Sequence, residues 1–455
     1  MNFLKNGIPD ISAKKKGGEA SVFALSSGAL PSGVAVIRVS GGQTKSLIEK
    51  ICGEGALPEP RQMALRAFRT QAGEFLDKGL LVYFPAPHSF TGEDCAEFHL
   101  HGGKALINRF LEELGAQENC RPAEAGEFAR RAFANGKIDL TEAEGLADLL
   151  AAETESQRKL AMQGASGALK KLYRGWRRKL IRLRAHLEAE LDFAEEEDAA
   201  GAFSAATEQG MAELAAELRA HIAHAKQAEI MRDGLKIVLA GAPNAGKSSF
   251  INRLSGRNVA LVNSAPGTTR DALEARLIIE GVPVLITDTA GLRETAGKIE
   301  KMGVQTARER MKTADLVLYL ADMHKPQEVK LPTMQGEIWH IGNKLDLGKD
   351  AGGQWDIQLS AKTGQGWEQF MEKLRAFCRD RQSETAAILP ARGRQLHLLK
   401  TAAEELDKAR QSADLGLELR AEYLRYASDA LGRITGDIDT EDLLDVIFSE
   451  FCIGK

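Results

Sequence analysis

The sequence predicts a multi-domain protein in which an α+β domain is followed by an α-helical bundle domain, with an α/β domain of the P-loop kind inserted into the helical one. Three observations carry that expectation. Strand-like runs broken by Gly and Pro fill the stretch from Ala20 to about Lys137. Amphipathic helical periodicity fills Leu140 to about Asp233 and returns after Pro390. Between them, strands alternate with helices around a glycine-rich loop. At roughly 150 residues per domain, a chain of 455 residues suits three of them. The expected boundaries are 1–137, 138–233, 234–379 and 380–455, the second and fourth being two parts of one helical domain.

In the first domain GVAVIRVSG, KGLLVYF and AEFHLHGG read as strands. The residues before them, with Lys14, Lys15 and Lys16 followed by two glycines, offer nothing to bury and read as a loose extension. In the helical stretch Ala, Leu, Glu, Arg and Lys dominate and no proline occurs between Pro122 and Pro243, so long helices are the simplest solution. The helical segments on either side of the insert are both amphipathic and are expected to pack on each other. Within the insert LKIVLAG, VPVLITDTAG, LVLYLAD and EIWHIGNKLD read as strands of a mostly parallel sheet, with helices after Lys247 and near Glu300. MHKPQEVKLPTMQGE has little helical signal and two prolines, which predicts an irregular crossover in the 311–336 region.

Composition narrows the function classes. Charged residues make up 27% of the chain but the formal net charge is only -4, which argues against a basic nucleic-acid-coating protein and against an acidic disordered one. Any RNA contact must be local. Cys52, Cys95, Cys120, Cys378 and Cys452 show no paired metal-ligand spacing, so neither a disulfide framework nor a zinc module is expected. No apolar run approaches the roughly 18 residues of a membrane span, and the polar start lacks the apolar core of a signal peptide. A cytoplasmic location away from the membrane is the expectation.

The inserted domain carries the chemistry. GAPNAGKSS, with Asn244, Ala245, Gly246, Lys247, Ser248 and Ser249, matches the G-x-x-x-x-G-K-[ST] phosphate loop between a predicted strand and a predicted helix. Backbone amides would surround phosphate, Lys247 would place a point charge on its outer oxygens, and the Ser248 hydroxyl would reach magnesium. Downstream, Asp288, Thr289, Ala290 and Gly291 end an apolar strand, where Asp288 can hold the magnesium shell and the Gly291 amide can meet the γ-phosphate. Asn343, Lys344 and Asp346 of NKLD separate guanine from adenine, because one carboxylate accepts from both guanine N1 and its exocyclic amine. Ser360, Ala361 and Lys362 complete the base pocket. Between the phosphate loop and DTAG, the stretch Asn263, Ser264, Ala265, Pro266, Gly267, Thr268, Thr269 reads as a switch in which Thr269 completes magnesium coordination. Leu292 follows DTAG and cannot orient water, so the water-orienting group must come from elsewhere: Glu300, on the following segment, reads either as that carboxylate or as a solvated helix glutamate, and Arg270 and Arg293 are candidate arginine fingers. Alternatively, Asn244 helps hold a monovalent cation beside the phosphates.

These residues, together with SFTGEDCAEFHLHGG, RPAEAGEFARRAFANGKIDLTEAEGLADLL, APGTTRD, DTAGLRET and the terminal FCIGK, closely resemble the MnmE or TrmE family of tRNA uridine-5-carboxymethylaminomethyl modification GTPases over nearly the whole chain. The resemblance implies a folate-binding-like amino-terminal domain whose dimer holds a one-carbon tetrahydrofolate, as the 5-formyl or methylene derivative. Carried over by motif, the folate contacts are Arg38, Glu97, Lys137 and Lys455, with the thiol of Cys452 near the same centre. The resemblance also implies a homodimer with facing GTPase domains, potassium held by Asn244, Asn263, Ala265 and Thr268, and water oriented by Glu300. It implies a flavin-bearing partner of the MnmG or GidA family, forming a heterotetramer or larger, with FAD on that partner and tRNA as the substrate. No dinucleotide motif occurs in this chain.

Two further features stand apart. KKLYRGWRRKLIRLR, Lys170 to Arg184, interleaves basic residues with Tyr173 and Trp176; it reads either as a phosphate-contacting face or as the solvated side of an amphipathic helix. His99 and His101 lie two apart in a strand and so share one face, with no third metal ligand evident; pocket lining is favoured over metal binding. A rival reading, a GTP-switched ribosome assembly factor, leaves the first domain and FCIGK without a role.

Overall fold

The computed structural model describes residues 20–192, 197–256, 274–288, 308–325, 332–334, 336–348, 353–381, 388–389, 392–412, 416–438, 441–449, 451 and 454. The chain divides into two compact units, one comprising Met1–Ala143 and Asp439–Lys455 and the other Glu144–Ile438.

The first unit is built on a six-stranded sheet. Its strands β1 (Ser21–Leu25), β2 (Ser32–Ser40), β3 (Ala64–Arg69), β4 (Phe75–Phe84), β5 (Cys95–Gly102) and β6 (Cys120–Pro122) lie in the order β3-β4-β5-β2-β1-β6. Neighbours are antiparallel except β1 and β6. The alternation in CAEFHLHG accounts for one-sided burial of β5: Ala96, Phe98 and Leu100 are buried, while Glu97, His99 and His101 occupy the other face. Helices α1 (Thr44–Cys52) and α2 (Lys104–Gly115) close the core, where Phe68, Phe98 and Phe110 meet with ring centroids 5.6, 5.8 and 5.3 Å apart. Truncating any of these rings to alanine would cost about 3–5 kcal/mol.

The stretch 380–455 does not stay together as one helical piece. The helix Glu441–Ser449 belongs to the first unit, where it packs on α3 (Glu127–Ala134). Phe448 is fully buried and faces Phe133 and Phe451, with centroids 6.3 and 5.8 Å away. Farther on, Gly454 has φ of +99° and its carbonyl accepts from Ser26 Oγ at 2.8 Å. A Cβ there would lie 2.2 Å from the Leu25 carbonyl oxygen, so only glycine permits this approach to the end of β1.

The second unit begins within α4 (Leu140–Ala151) and continues through α5 (Glu155–Ala165), α6 (Ala168–Asp192), α7 (Glu197–Ala223) and α8 (Ala225–Asp233). α5 starts where Thr154 and Gln157 form a reciprocal capping box, which satisfies two otherwise unpaired amides. The α/β domain follows with β7 (Leu235–Ala240), α9 (Lys247–Ser255), β8 (Glu274–Ile279), β9 (Val282–Asp288), β10 (Leu316–Asp322), β11 (Glu337–Asn343), β12 (Ile357–Gln358) and α10 (Trp367–Asp380). The strand order is β12-β11-β10-β7-β9-β8, parallel throughout except for β8 against β9. Near-continuous apolar runs such as LKIVLA and LVLYLAD form strands buried on both faces. Of the 311–336 region, 311–313 are helical and Leu316–Asp322 form β10, and much of the stretch between β10 and β11 lies outside the described residues.

Two more helices, α11 (Gly393–Gln411) and α12 (Leu417–Thr435), return to the helical layer. Leu169, Tyr173, Trp176, Leu180, Leu183 and Leu187 of α6 share a core with Leu218 of α7, Leu399 and Leu406 of α11, and Leu424 and Leu431 of α12. The helical segments on either side of the insert thus bury their apolar stripes on one another. Arg394 seals the start of α11 with a bidentate bond to Glu144, at 2.9 and 3.0 Å, and Gln395 adds a third at 2.8 Å.

Candidate functional site

The nucleotide-reading elements gather at the carboxyl ends of β7, β9 and β11 and in the loop after β12. Parallel strands flanked by helices leave a crevice there. The loop 241–246 leaves β7 and opens α9, so the first-turn amides of α9 and the positive end of its dipole face the crevice. Asn244 adopts φ of +62° and Gly246 φ of +98°. A Cβ on Gly246 would sit 2.2 Å from Asn343 Nδ2, so glycine is required both for its backbone angle and for space. Lys247 is 7% exposed, and its ammonium donates to the carbonyls of Gly241 and Ala242 at 2.7 and 2.9 Å. That arrangement pins the loop around the lysine stem, and Ala245 within the loop is also buried. Ser248, Ser249 and Asn244 are exposed. Asp288 ends β9, is almost wholly buried and lies in register opposite Leu239, beside the start of the loop. A hydroxyl at the helix start and a carboxylate from the next strand are the hard oxygen donors that magnesium takes.

The base-reading loops are braced as one piece. Asn343, 3% exposed, donates through Nδ2 to the Ala245 carbonyl at 2.7 Å and accepts through Oδ1 from the Ala361 amide at 2.9 Å. One side-chain amide therefore ties the phosphate loop to the loop after β12. Ser360 Oγ donates to Asp346 Oδ1 at 2.5 Å, and the same hydroxyl accepts from the Thr363 amide at 3.0 Å. This bond holds the Asp346 carboxyl below its usual range while the residue remains exposed, so it presents an ionised acceptor to a guanine edge. Lys344 sits at φ of +70° and its ammonium meets Asp322 at 2.7 Å. Burial pushes the Asp322 carboxyl up, but Lys344 and the His324 amide outweigh it and hold it below the ordinary value.

Sequence reasoning missed two of the braces. Arg253, one and a half turns into α9, donates to the carbonyls of Ala361 and Lys362, both at 2.6 Å, and lies over the Trp367 ring. Asp322 positions Lys344 from the end of β10. Neither has a spacing signature, because each acts on a loop from a different strand or helix. Of the residues read from sequence, Asn263 to Thr269, Thr289 to Gly291, Glu300, Cys452 and Lys455 lie outside the described residues, as do Arg270, Leu292 and Arg293.

In the first unit a second set of charges assembles on the face of the sheet opposite its core. Arg38 of β2 and Glu97 of β5 are partners in register, and the guanidinium donates twice to Glu97 Oε1, at 3.1 and 2.9 Å. The Phe90 and Phe128 rings each stand 5.7 Å from the guanidinium. Lys137 Nζ donates to the Pro87 carbonyl at 2.9 Å, so both cations contact the loop that runs from Pro87 to Gly92. Behind that loop Arg131, 5% exposed, binds Glu93 at 3.0 Å and Glu127 at 2.9 Å, and Ser40 Oγ donates to Glu93 at 2.6 Å. His99 lies beside this set, 3.8 Å from Glu97, whereas His101 is bound to Asp77 at 2.9 Å. Among the described residues no group of His, Cys, Asp and Glu is placed to hold a metal ion.

Comparison with known proteins divides the chain by sequence near residue 140. The family described as MnmE helical domain matches residues 140–452, and the one described as GTP-binding protein TrmE N-terminus matches residues 21–137. The chain is 56% identical over 435 residues to a protein of Bartonella tribocorum named tRNA modification GTPase MnmE, across 96% of this chain and 100% of that one. A protein of the same name from Brucella canis is likewise 56% identical over 435 residues, across 96% and 98% of the two chains. The solved G domain of the T. maritima FeoB iron transporter aligns with 31% of this chain at 25% identity, with a TM-score of 0.23, too low to bear on the fold.

Proposed function

Because the chain belongs to the MnmE family of tRNA modification GTPases and is a GTP hydrolase of tRNA modification, we propose that it drives addition of a carboxymethylaminomethyl group to C5 of the wobble uridine of certain tRNAs. The donor of one carbon is a reduced folate, and the reaction runs in complex with a flavin-bearing protein of the MnmG or GidA kind. The observation that carries the GTP part is the Asn343 brace, which fixes the phosphate loop and the guanine-reading loops at one relative position. Binding of the guanine edge to Asp346 then registers the triphosphate against Lys247 and the α9 amides.

Ser248 and Asp288 suit magnesium, which neutralises phosphate charge when bound. Asn244, exposed and left-handed in the phosphate loop, suits a monovalent cation on the same side, with Asn263, Ala265 and Thr268 as its proposed further ligands. Glu300 is the proposed water-orienting carboxylate. In the first unit Arg38 and Glu97 with the Phe90 ring suit a flat, hydrogen-bonding ring system carrying carboxylates, and Lys137 offers a further cation. A folate supplies one carbon at the oxidation level of the derivative bound there. The proposed assembly is a homodimer, with Lys455 completing the folate site.

The test is GTP hydrolysis in potassium against sodium at equal ionic strength, with the native chain and Glu300→Ala. Potassium stimulation that disappears in a variant still binding GTP is expected. Equal rates in both salts would overturn the potassium-dependent mechanism, and an unaffected variant would remove Glu300 from it. Nucleoside analysis of tRNA from cells lacking the protein, restored by the native chain, tests the carboxymethylaminomethyl product separately.

A further inference from the structure

The basic stretch of α6 remains without a role in nucleotide chemistry. Its two aromatic residues are not available for base stacking, since Tyr173 is fully buried and Trp176 is 5% exposed. Both belong to the helical core, and Trp176 donates to Glu217 at 2.7 Å. The cations, by contrast, lie on the outward side. Lys170, Lys171, Arg174, Arg177 and Arg178 line a groove of about 460 Å³ together with Gly167, Ile181 and Asp437. Among the described residues that line it, five are cations and one, Asp437, is a carboxylate. Asp437 binds Arg174 at 2.6 Å and Arg177 at 3.3 Å, which holds two guanidiniums in place. Among the described residues, no ion-pair partner faces Lys171, Arg178 or the neighbouring Arg182, all exposed.

Two aspects of the local structure work against folding stability at this place. The first turns of α6 hold Lys170, Lys171 and Arg174 and no acidic residue, although the amino-terminal end of a helix favours negative charge by roughly 0.3–1 kcal/mol per group. Gly432 stands inside α12, where glycine costs about 1 kcal/mol relative to alanine. A Cβ there would fall 2.7 Å from Ile438 and 3.1 Å from Arg177 Nε, so the absence of a side chain makes the room in which Arg177 is seated. An arrangement that crowds like charges at a positive helix end and leaves a glycine beside one of them is accounted for by an anion that binds there.

We propose that this groove is an RNA-backbone site: consecutive phosphates of tRNA lie along α6 against Lys171, Arg174, Arg178 and Arg182. Successive positions at 171, 174, 178 and 182 recur at helical spacing on one side of α6 and span about 16 Å at 1.5 Å per residue. That length accommodates several phosphates in a row, whereas a single small anion would need only one end of it. The groove is open, supplies point charges and guanidinium forks, and offers no exposed aromatic platform, so it contacts phosphate and carries no base specificity. The proposal rests on the reading of tRNA as the substrate and assigns part of its footprint to the helical unit.

The test uses the full chain and purified tRNA, with affinity measured as a function of salt. Lys171→Glu with Arg178→Glu is the main variant, and Lys171→Gln with Arg178→Gln is a gentler one. The proposal expects affinity to fall at least about tenfold in the Glu pair and less in the Gln pair, with the salt slope reduced by about two in the Gln pair. GTP hydrolysis without tRNA is expected to be unchanged, which also reports that the variants fold. Native affinity and slope in both variants would overturn the site, as would a native chain with no affinity for tRNA. Full tRNA affinity with lost modification in cells would assign the groove to an acidic protein partner and likewise overturn it. Failure of the native chain to restore modified wobble uridine in cells lacking it would instead defeat the tRNA reading itself.

Discussion

The GTP site and the Arg38–Glu97 face place charge in opposite ways. At the GTP site the charged groups hang from loops at strand ends, and other side chains immobilise those loops: Asn343 ties two of them and Arg253 ties a third point to α9. On the face in the first unit the charges come directly from strands, and the sheet ladder itself sets Arg38 opposite Glu97. The first arrangement relies on a few buried hydrogen bonds whose loss releases whole loops. The second relies on backbone pairing that survives a change of any one side chain. Sensitivity to single substitutions should therefore differ sharply between the two regions.

The largest effect is expected from Asp346→Asn. It places donors against the donors of guanine and removes two charge-assisted bonds, so GTP affinity should fall by about a thousandfold or more, with xanthosine triphosphate bound in its place; nucleotide titration reads this directly. Asn343→Ala comes next. It leaves the Ala245 carbonyl and the Ala361 amide without their bonds, each worth about 1–3 kcal/mol when buried, and should weaken GTP binding between tenfold and a thousandfold. Equal GTP affinity in this variant would break the comparison at its root.

Arg253→Ala should weaken guanine nucleotides by about tenfold, with little change in the affinity of pyrophosphate, because it loosens the base loop and not the phosphate loop. Ser360→Ala sharpens the comparison through pH. The hydroxyl holds the Asp346 carboxyl below its ordinary value, so in the native chain GTP binding is retained at and above the ordinary carboxylate value near 4 and is lost as pH falls through the lowered range. Removing the hydroxyl should move that acid limit upward. An unchanged acid limit would mean that the hydrogen bond does not set the charge of Asp346. The smallest effect is expected on the strand face: Arg38→Leu removes a partly buried ion pair, 22% exposed at each partner, worth about 1 kcal/mol. It should shift Tm by only a few degrees and leave GTP affinity unaltered, while abolishing the proposed folate binding measured by titration.

The legibility of the two regions differs for the same reason. Phosphate and guanine recognition needs backbone amides at fixed turns, and turns are local, so GAPNAGKSS and NKLD announce themselves over a few consecutive residues. The braces Arg253 and Asp322 escaped because they act across elements and need no local pattern. The alternation of AEFHLHGG placed His99 and His101 on one face in advance, but alternation by itself does not say which strand lies alongside. The pairing of Arg38 with Glu97 follows from the β2–β5 register. The periodicity of α6 likewise left its basic residues open to two readings, and burial of Tyr173 and Trp176 separated the core stripe from the outward one.

By itself the sequence determined the three structural classes, the order of the strands and helices along the chain, and the identity of the nucleotide, because each depends on contacts between residues close in the chain. The tertiary structure decided the rest. It moved the helix Glu441–Ser449 into the first unit, since Phe448 is buried there against Phe133 and Phe451. It also brought Gly454 to Ser26 across 428 positions of sequence, an encounter that depends on the fit of glycine against a strand end. Such contacts are selected by packing against the whole core, and no local spacing records them.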